Sequence, residues 1–242
     1  MNNFNNHKKQ RILLKLSGES LKNKQGQGID FSTLDKLCRR LSELLKNQIQ
    51  LAVVIGGGNI FRGLEGESQG FDRHYGDMMG MLGTVINGLA LKERMENIGI
   101  QVELQSGMPI PLIPVDAYNK PKAVHCLDSG GMVIFCGGIG NPYFSTDTTM
   151  ALRAVQIKAD VVFKGTKVDG VYNKDPEQHP DAVKYDVITY DDAMVKNLRI
   201  VDQTAFSILR EHSITLRVFN LFDQNNIERV LAGEKLGTVV TN

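Results

Sequence analysis

The 242-residue chain has no tryptophan and only three cysteines, at positions 38, 126 and 136. An odd, widely spaced trio without CxxC or Cys/His ligand spacing excludes a disulfide framework and structural zinc, and it fits a reducing cytosol. Neither sign of charge is in excess, since 28 Lys and Arg stand against 27 Asp and Glu. No broad field therefore points to DNA, RNA or an anionic membrane, and a bound phosphate would need a local cluster of cations. There is no repeat, Pro/Ser-rich linker or low-complexity tract. Long apolar runs are also missing: the stretch from Ile12 to Leu16 is interrupted by Lys15 and is far too short to span a bilayer. The opening MNNFNNHKKQR has no apolar core behind it, so it does not read as a signal peptide. The expectation is a cytoplasmic protein that binds neither nucleic acid nor membrane.

Glycine is what the chain has in quantity, with 24 residues. Four apolar runs each lead at once into small residues. Arg11 to Leu16 ends in Ser17-Gly18, and Leu51 to Ile55 ends in Gly56-Gly57-Gly58. Met132 to Cys136 ends in Gly137-Gly138, and Asp160 to Lys164 ends in Gly165-Thr166. Helical patterns lie between them. Ser32 and Asp35 resemble a capping box, followed by Leu34, Leu37, Cys38, Leu41, Leu44 and Leu45 at i, i+3, i+4 spacing. Further helices are expected over Asp77 to Ile98, Asp147 to Lys158, Asp191 to Asn197, Asp202 to His212 and Gln224 to Leu231, with closing strands at Leu216 to Leu221 and Gly237 to Thr241. Continuous apolar strands alternating with helices predict an α/β fold, a three-layer αβα sandwich around a mostly parallel sheet. Residues 1–10 read as a flexible tail and 11–242 as one domain. In open α/β sheets ligands bind outside the carboxyl ends of the strands, so four small-residue turns suggest one shared site.

Two nucleotide motifs are absent. No Gly-Lys-Ser/Thr occurs, which excludes a Walker P-loop, and Phe61 stands where a dinucleotide fingerprint starting at Gly56 needs its third glycine. The turns instead carry groups suited to phosphate. Lys15 is either an edge-strand lysine snorkelling to water or a point charge for phosphoryl oxygens. Gly56, Gly57 and Gly58 let backbone N–H groups approach an anion, and Arg62 adds a second cation. Asp77, Asp147 and Asp202 each begin an expected helix and so are candidate N-caps. Asp175-Pro176 also reads as a turn.

Five segments taken together resemble the uridylate (UMP) kinases of bacteria, a branch of the amino-acid kinase superfamily. They are Lys15 to Glu19, Val54 to Gly63, Gly76 to Gly88, Gly140 to Asp147 and Lys164 to Tyr172. The resemblance runs in order from about Arg11 to the C-terminus, and it implies an amino-acid kinase (carbamate kinase-like) fold. The N-terminal half would bind the acceptor and the C-terminal half ATP. Lys15, Leu16, Ser17 and Gly18 would hold ATP phosphates, with Gly58 and Arg62 at the transferring end. Gly57 and Asp77 would bind UMP together with the loop Ile139, Gly140, Asn141, Pro142, Tyr143, Phe144, Ser145 and Thr146. Thr166, Tyr172 and Asp175 would form the adenosine pocket. Asp147 would organise the charged centre beside Lys164 or Lys167, making Lys15, Arg62 and Asp147 the catalytic set. Two positions depart from the family: Ile139, where a hydroxyl-bearing residue is common, and Gly165, often Ala.

The resemblance implies MgATP and UMP as substrates, with Mg²⁺ riding on ATP oxygens. It also implies inhibition by UTP, activation by GTP through a stretch at Asn23 to Gly28, and a homohexamer built as a trimer of dimers. The helix from Asp77 is expected to show Met78, Met81, Leu82, Val85, Ile86 and Leu89 as one broad apolar stripe facing its two-fold mate. Two other functions fit the same fold: a carbamate or acyl-phosphate kinase, and a non-catalytic nucleotide-binding or storage protein.

Overall fold

A computed structural model of the chain describes residues 9–23, 26–47, 49–62, 70–166, 168–220, 223, 225–231 and 233–242. Most of the expected tail, Gly63 of the second motif, Lys167, the first residue of the helix expected from Gln224 and part of the Asn23 to Gly28 stretch lie outside these residues.

The strands are β1 (Arg11–Leu16), β2 (Gln50–Ile55), β3 (Val102–Ser106), β4 (Asp116–Ala117), β5 (Met132–Cys136), β6 (Val161–Thr166), β7 (Val171–Tyr172), β8 (Lys184–Tyr185), β9 (Val187–Thr189), β10 (Thr215–Asn220) and β11 (Thr238–Thr241). The helices are α1 (Phe31–Lys46), α2 (Arg73–Asn97), α3 (Lys120–Asp128), α4 (Thr146–Ile157), α5 (Tyr190–Val195), α6 (Gln203–Glu211) and α7 (Asn226–Leu231). Nine described strands form one sheet in the order β4-β3-β5-β2-β1-β6-β10-β11-β9, while β7 and β8 pair as a separate hairpin. Every neighbour in the large sheet is parallel except β10 with β11.

The sheet is covered on both faces. Ile12, Leu14 and Leu16 of β1 pack with α1, α2 and α7, whereas Leu13 packs with α3, α4, α5 and α6. Alternate residues thus go to opposite apolar layers, which is why the strands read as unbroken apolar runs. Because β1, β2, β5 and β6 run parallel, their carboxyl ends share one edge of the sheet. The turn expected at Gly165-Thr166 is instead the end of β6.

Several local expectations need correction. Ser32 does not cap α1. Asp30 does, its carboxylate accepting the Thr33 N–H at 2.7 Å, while the Ser32 hydroxyl donates to that carboxylate. Helix α2 begins at Arg73 with Asp72 as N-cap, which puts Asp77 in its second turn. Ser145, not Asp147, caps α4. Asp202 does cap α6, accepting from the Ala205 N–H at 3.0 Å. The sequence patterns above do not announce β3, β4, α3, β9 or the β7–β8 hairpin, which are short or carry polar residues on one side.

The apolar residues of α2 do not form one stripe. Met81 and Val85 are buried within their own subunit, and Leu89 packs against the same core. Tyr75, Met79, Leu82 and Ile86 point out and stand exposed. The helix is apolar on two sides because it has two surfaces to serve. All three cysteines are free and buried, and burial pushes the Cys38 and Cys136 thiols up to about 12. No helix among the described residues is long and apolar enough to cross a membrane.

Candidate active site

β1 lies at the middle of the sheet, flanked by β2 and β6, so Lys15 is not an edge lysine. In the β1–β6 register Lys15 stands beside Lys164. Two half-buried ammonium groups on adjacent strands repel unless an anion lies between them, and Asp147 from the first turn of α4 supplies it. Lys164 Nζ donates to Asp147 Oδ2 at 2.6 Å, and Lys15 Nζ faces Asp147 Oδ1 at 3.3 Å without an aligned hydrogen bond. Lys164 also donates to the Ile200 carbonyl at 2.6 Å. Burial alone would raise the Asp147 pKa, but the Lys15 and Lys164 charges outweigh it and hold the carboxyl below its ordinary 3.8. Burial lowers the Lys164 pKa below its ordinary 10.5, with the Asp147 charge pulling the other way; two lysines thus share one carboxylate, an arrangement suited to a further anion. Asp147 is not a cap, because its carboxylate is committed to the lysines.

The turns after β1 and β2 meet beside this centre. The Leu16 side chain is buried and its carbonyl accepts the Gly56 N–H at 2.9 Å, so its part is to join the turns. A Cβ on Gly18 would come within 2.6 Å of the Gly56 carbonyl and 2.9 Å of the Gly58 nitrogen. A Cβ on Gly57 would lie 2.8 Å from the Thr84 nitrogen of α2. Only glycine permits this backbone-on-backbone packing. The N–H groups of Gly57 and Gly58 donate to no acceptor among the described residues. Ser17 Oγ accepts from the Glu19 N–H. Arg62 forms an ion pair with Glu19 and donates from Nε to the Gly58 carbonyl at 3.3 Å. The structure thus brings Lys15, Ser17, Gly18, Gly57, Gly58, Arg62 and Asp147 together.

The loop Ile139–Thr146 borders the same turns, and the Thr146 hydroxyl lies 3.7 Å from where a Gly56 Cβ would be. Asp77 reaches this loop: its Oδ2 accepts the Tyr143 N–H at 2.7 Å, and Arg73 Nε holds the same carboxylate at 2.9 Å. The cap reading of Asp77 is therefore replaced by a loop anchor. Tyr143 takes a positive φ of 70°, and its ring and that of Phe144 stand exposed. Asn141 is exposed, while Ile139, Gly140 and Pro142 are half-buried. Asp202 ties down the loop's far end, accepting from the Ser145 hydroxyl and from the Thr148 hydroxyl at 3.0 Å.

Thr166, Tyr172 and Asp175 line one cavity of about 610 Å³. Its opposite wall is the segment Lys196 to Ile200, and Lys164 links it to the charged centre. Asp169 fixes the Tyr172 hydroxyl and pairs with Lys184 at 3.0 Å, while Thr166 donates to the Val168 carbonyl at 2.6 Å. Asp175 accepts the Glu177 N–H at 2.9 Å, so it closes a turn and walls the cavity at once. Among the described residues no group of three or more His, Cys, Asp or Glu is placed to hold a metal. Asp147 is already engaged by two ammonium groups and Glu19 by Arg62, a donor set that fits a metal carried in on phosphate oxygens.

Comparison with known proteins agrees with this geometry. The model of the Amino acid kinase family matches residues 10–220. The chain is 47% identical over 230 residues to a uridylate kinase of Alcanivorax borkumensis, covering 95% of this chain and 91% of that protein. It is 45% identical over 235 residues to a uridylate kinase of Bacteroides thetaiotaomicron, covering 97% and 99%. The chain belongs to the amino acid kinase family, in its uridylate kinase branch. The crystal structure of UMP kinase from Bacillus anthracis superposes with a TM-score of 0.92 at 33% identity, covering 96% of each chain.

In this amino acid kinase, sequence patterns left some residues of the site unnamed. Thr84 accepts the Gly137 N–H at 2.6 Å, and Asn87 and Asn59 form a buried amide pair beneath Gly56. The one available signal was Gly76, Gly80 and Gly83, spaced to put small residues on one helix face where another backbone can approach. Of the two lysines offered beside Asp147, Lys164 is the one in contact; Lys167 lies outside the described residues.

Proposed function

We propose that the chain is a cytoplasmic kinase that transfers the γ-phosphoryl group of ATP to UMP, giving ADP and UDP for pyrimidine nucleotide synthesis. The observation that carries this is Asp147 between Lys15 and Lys164, adjoining undonated glycine amides on one side and a nucleoside-sized cavity on the other. The acceptor phosphate has a second pKa of about 6 and is largely a dianion at neutral pH. It attacks without a general base. An oxygen of the UMP phosphate bonds to the γ-phosphorus as the bond to the β,γ-bridging oxygen breaks, and ADP leaves with that electron pair. Catalysis is then alignment of two polyanions and compensation of their charge. Lys15 and Lys164 supply positive charge where the phosphoryl group moves, and Asp147 holds both ammonium groups in place. The N–H groups of Gly57 and Gly58, with Arg62, face the transferring end. Mg²⁺, carried on the ATP phosphates, would neutralise further charge there.

The acceptor sits against Asp77 and the Ile139–Thr146 loop, and adenosine occupies the cavity of Thr166, Tyr172 and Asp175. UTP shares the uridine and competes with UMP at that loop, while GTP raises the rate from elsewhere. Initial rates with each nucleotide check both, and UTP competing with ATP alone would contradict the shared pocket. An ADP-release assay over UMP, CMP, dTMP, AMP, glutamate and carbamate tests the reaction. Release with UMP is expected; release with carbamate or glutamate only, or with none, would overturn it.

The assembly belongs to the same reading: a homohexamer, a trimer of dimers, with α2 against its two-fold mate. The surface that suits this contact is Tyr75, Met79, Leu82 and Ile86, four exposed apolar residues in register along one face. Ile86→Glu is expected to split the assembly while leaving the subunit folded. Val85→Glu acts differently, because Val85 is 4% exposed and Ile86 47%: it buries a charge in the core and unfolds the subunit. Light scattering and circular dichroism separate the two, and an intact hexamer with Ile86→Glu would remove α2 from the interface.

A further inference from the structure

The triple-glycine turn has no side chains of its own to hold its shape, yet the proposed reaction needs its amides aimed before substrate arrives. Asn87 stands directly beneath it, 0% exposed on the inward face of α2. Its amide nitrogen donates to the Gly56 carbonyl at 2.7 Å and to Asn59 Oδ1 at 2.6 Å, and its oxygen accepts from Asn59 Nδ2 at 3.0 Å. Asn59 Nδ2 in turn donates to the Gly28 carbonyl at 2.8 Å, and the Gly28 N–H returns to the Asn59 carbonyl at 2.9 Å. Both N–H groups and the oxygen of Asn87 are used, so the amide cannot flip without breaking the set.

Peptide planarity carries the consequence. The described chain has no cis peptide bond, and in a trans peptide the C=O and the following N–H point in opposite directions. A donor that draws the Gly56 carbonyl towards α2 therefore turns the Gly57 N–H away from it. That N–H is one of the two which donate to nothing among the described residues. We infer that Asn87 is a positioning residue for phosphoryl transfer: through the Gly56 carbonyl it aims the Gly57 N–H at the phosphate, with Asn59 bracing it. This rests on the proposed kinase reaction. Asn87 does not touch substrate, and its effect falls on the geometry of the moving phosphoryl group, so it is felt in kcat more than in KM.

The test is steady-state kinetics with ATP and UMP on the full chain, beside thermal unfolding of each variant. Asn87→Leu keeps the volume but withdraws the donor, and it is expected to lower kcat about 100-fold, the scale of one preorganised amide, with both KM values within about threefold. Asn59→Ser removes only the brace and is expected to lower kcat about tenfold. Leu44→Ala is the stability control. It lies near the end of α1 that leads into the amino end of β2, away from the site, and should lower Tm while kcat per folded molecule stays unchanged. Wild-type kcat in Asn87→Leu, or a kcat loss that only follows the loss of folded protein, would overturn the inference and leave the kinase reaction standing. Should Asn87→Leu not fold, wild-type kcat in Asn59→Ser would overturn it equally. A wild-type chain that releases no ADP with UMP would overturn the functional proposal and this inference with it.

Discussion

The proposed phosphate side of the site and its proposed nucleoside side are built differently. Around Gly56 to Gly58 the backbone is packed on backbone, braced by buried amides and closed over by α2, and the two lysines sit on central strands. The cavity of Tyr172 and Asp175 shares Lys164 and Thr166 of β6, but its outer walls are β7, the turn after it and the segment Lys196 to Ile200, fixed by a few exposed side-chain contacts such as Tyr172 with Asp169. Charge compensation depends on fixed dipoles, so it belongs on rigid elements. A nucleoside face needs shape and a few polar contacts, which β7, the turn after it and the Lys196 to Ile200 segment would offer.

The contrast can be broken most strongly at Asp147. Asp147→Asn leaves Lys15 and Lys164 repelling each other and is expected to lower kcat about 10²–10³-fold, about 3–4 kcal/mol of transition-state stabilisation. The same variant has a pH signature. Asp147 has a lowered pKa in the fold, so its stabilising contribution is full above the ordinary 3.8 and is lost as pH falls through the lowered value. Acid unfolding monitored by circular dichroism should lose part of its steepness there in Asp147→Asn; an unchanged acid limb would mean the ion pairs add no stability.

Arg62 comes next. It joins Glu19 to the Gly58 carbonyl from a half-exposed position, so Arg62→Ala should lower kcat/KM about 10²-fold and barely move Tm. Wild-type turnover would take it out of the transferring end. The smallest effect belongs to the nucleoside side. Tyr172→Ala removes one wall of the cavity and should raise KM for ATP about tenfold with kcat within about twofold. A kcat loss as large as that of Asp147→Asn would erase the distinction between the two sides.

How legible the site was in the sequence follows the same division. The turns after β1 and β2 could be read because their glycines are contiguous with the strands that position them. Lys15, Gly57, Gly58 and Arg62 were legible for that reason. Gly165-Thr166 was legible as the small-residue end of an apolar run, whereas Tyr172 and Asp175 were assigned to a pocket only by family resemblance, since a two-residue strand and the turn after it have no periodicity to read. Asp77 and Asp147 carried the same local signal, an aspartate near a helix start, and that signal was misleading for both. Asp72 and Ser145 are the caps. A carboxylate can cap its own helix or pair with a distant cation, and the sequence around it is the same in either case.

The sequence by itself determined the layers. Alternating burial on central strands demands apolar residues on both faces, and that pattern is local and periodic. It also determined that glycine turns follow β1, β2 and β5. Only the tertiary structure decided which charges meet. Lys15, Asp147 and Lys164 are brought together by sheet order and by the entry of α4, and no local pattern encodes which strand lies beside which. The two surfaces of α2 were decided there too. A helix with apolar residues on two sides has no preferred face until a sheet claims one of them, and here the sheet and the glycine turn took Met81, Val85 and Asn87 and left Tyr75, Met79, Leu82 and Ile86 outside.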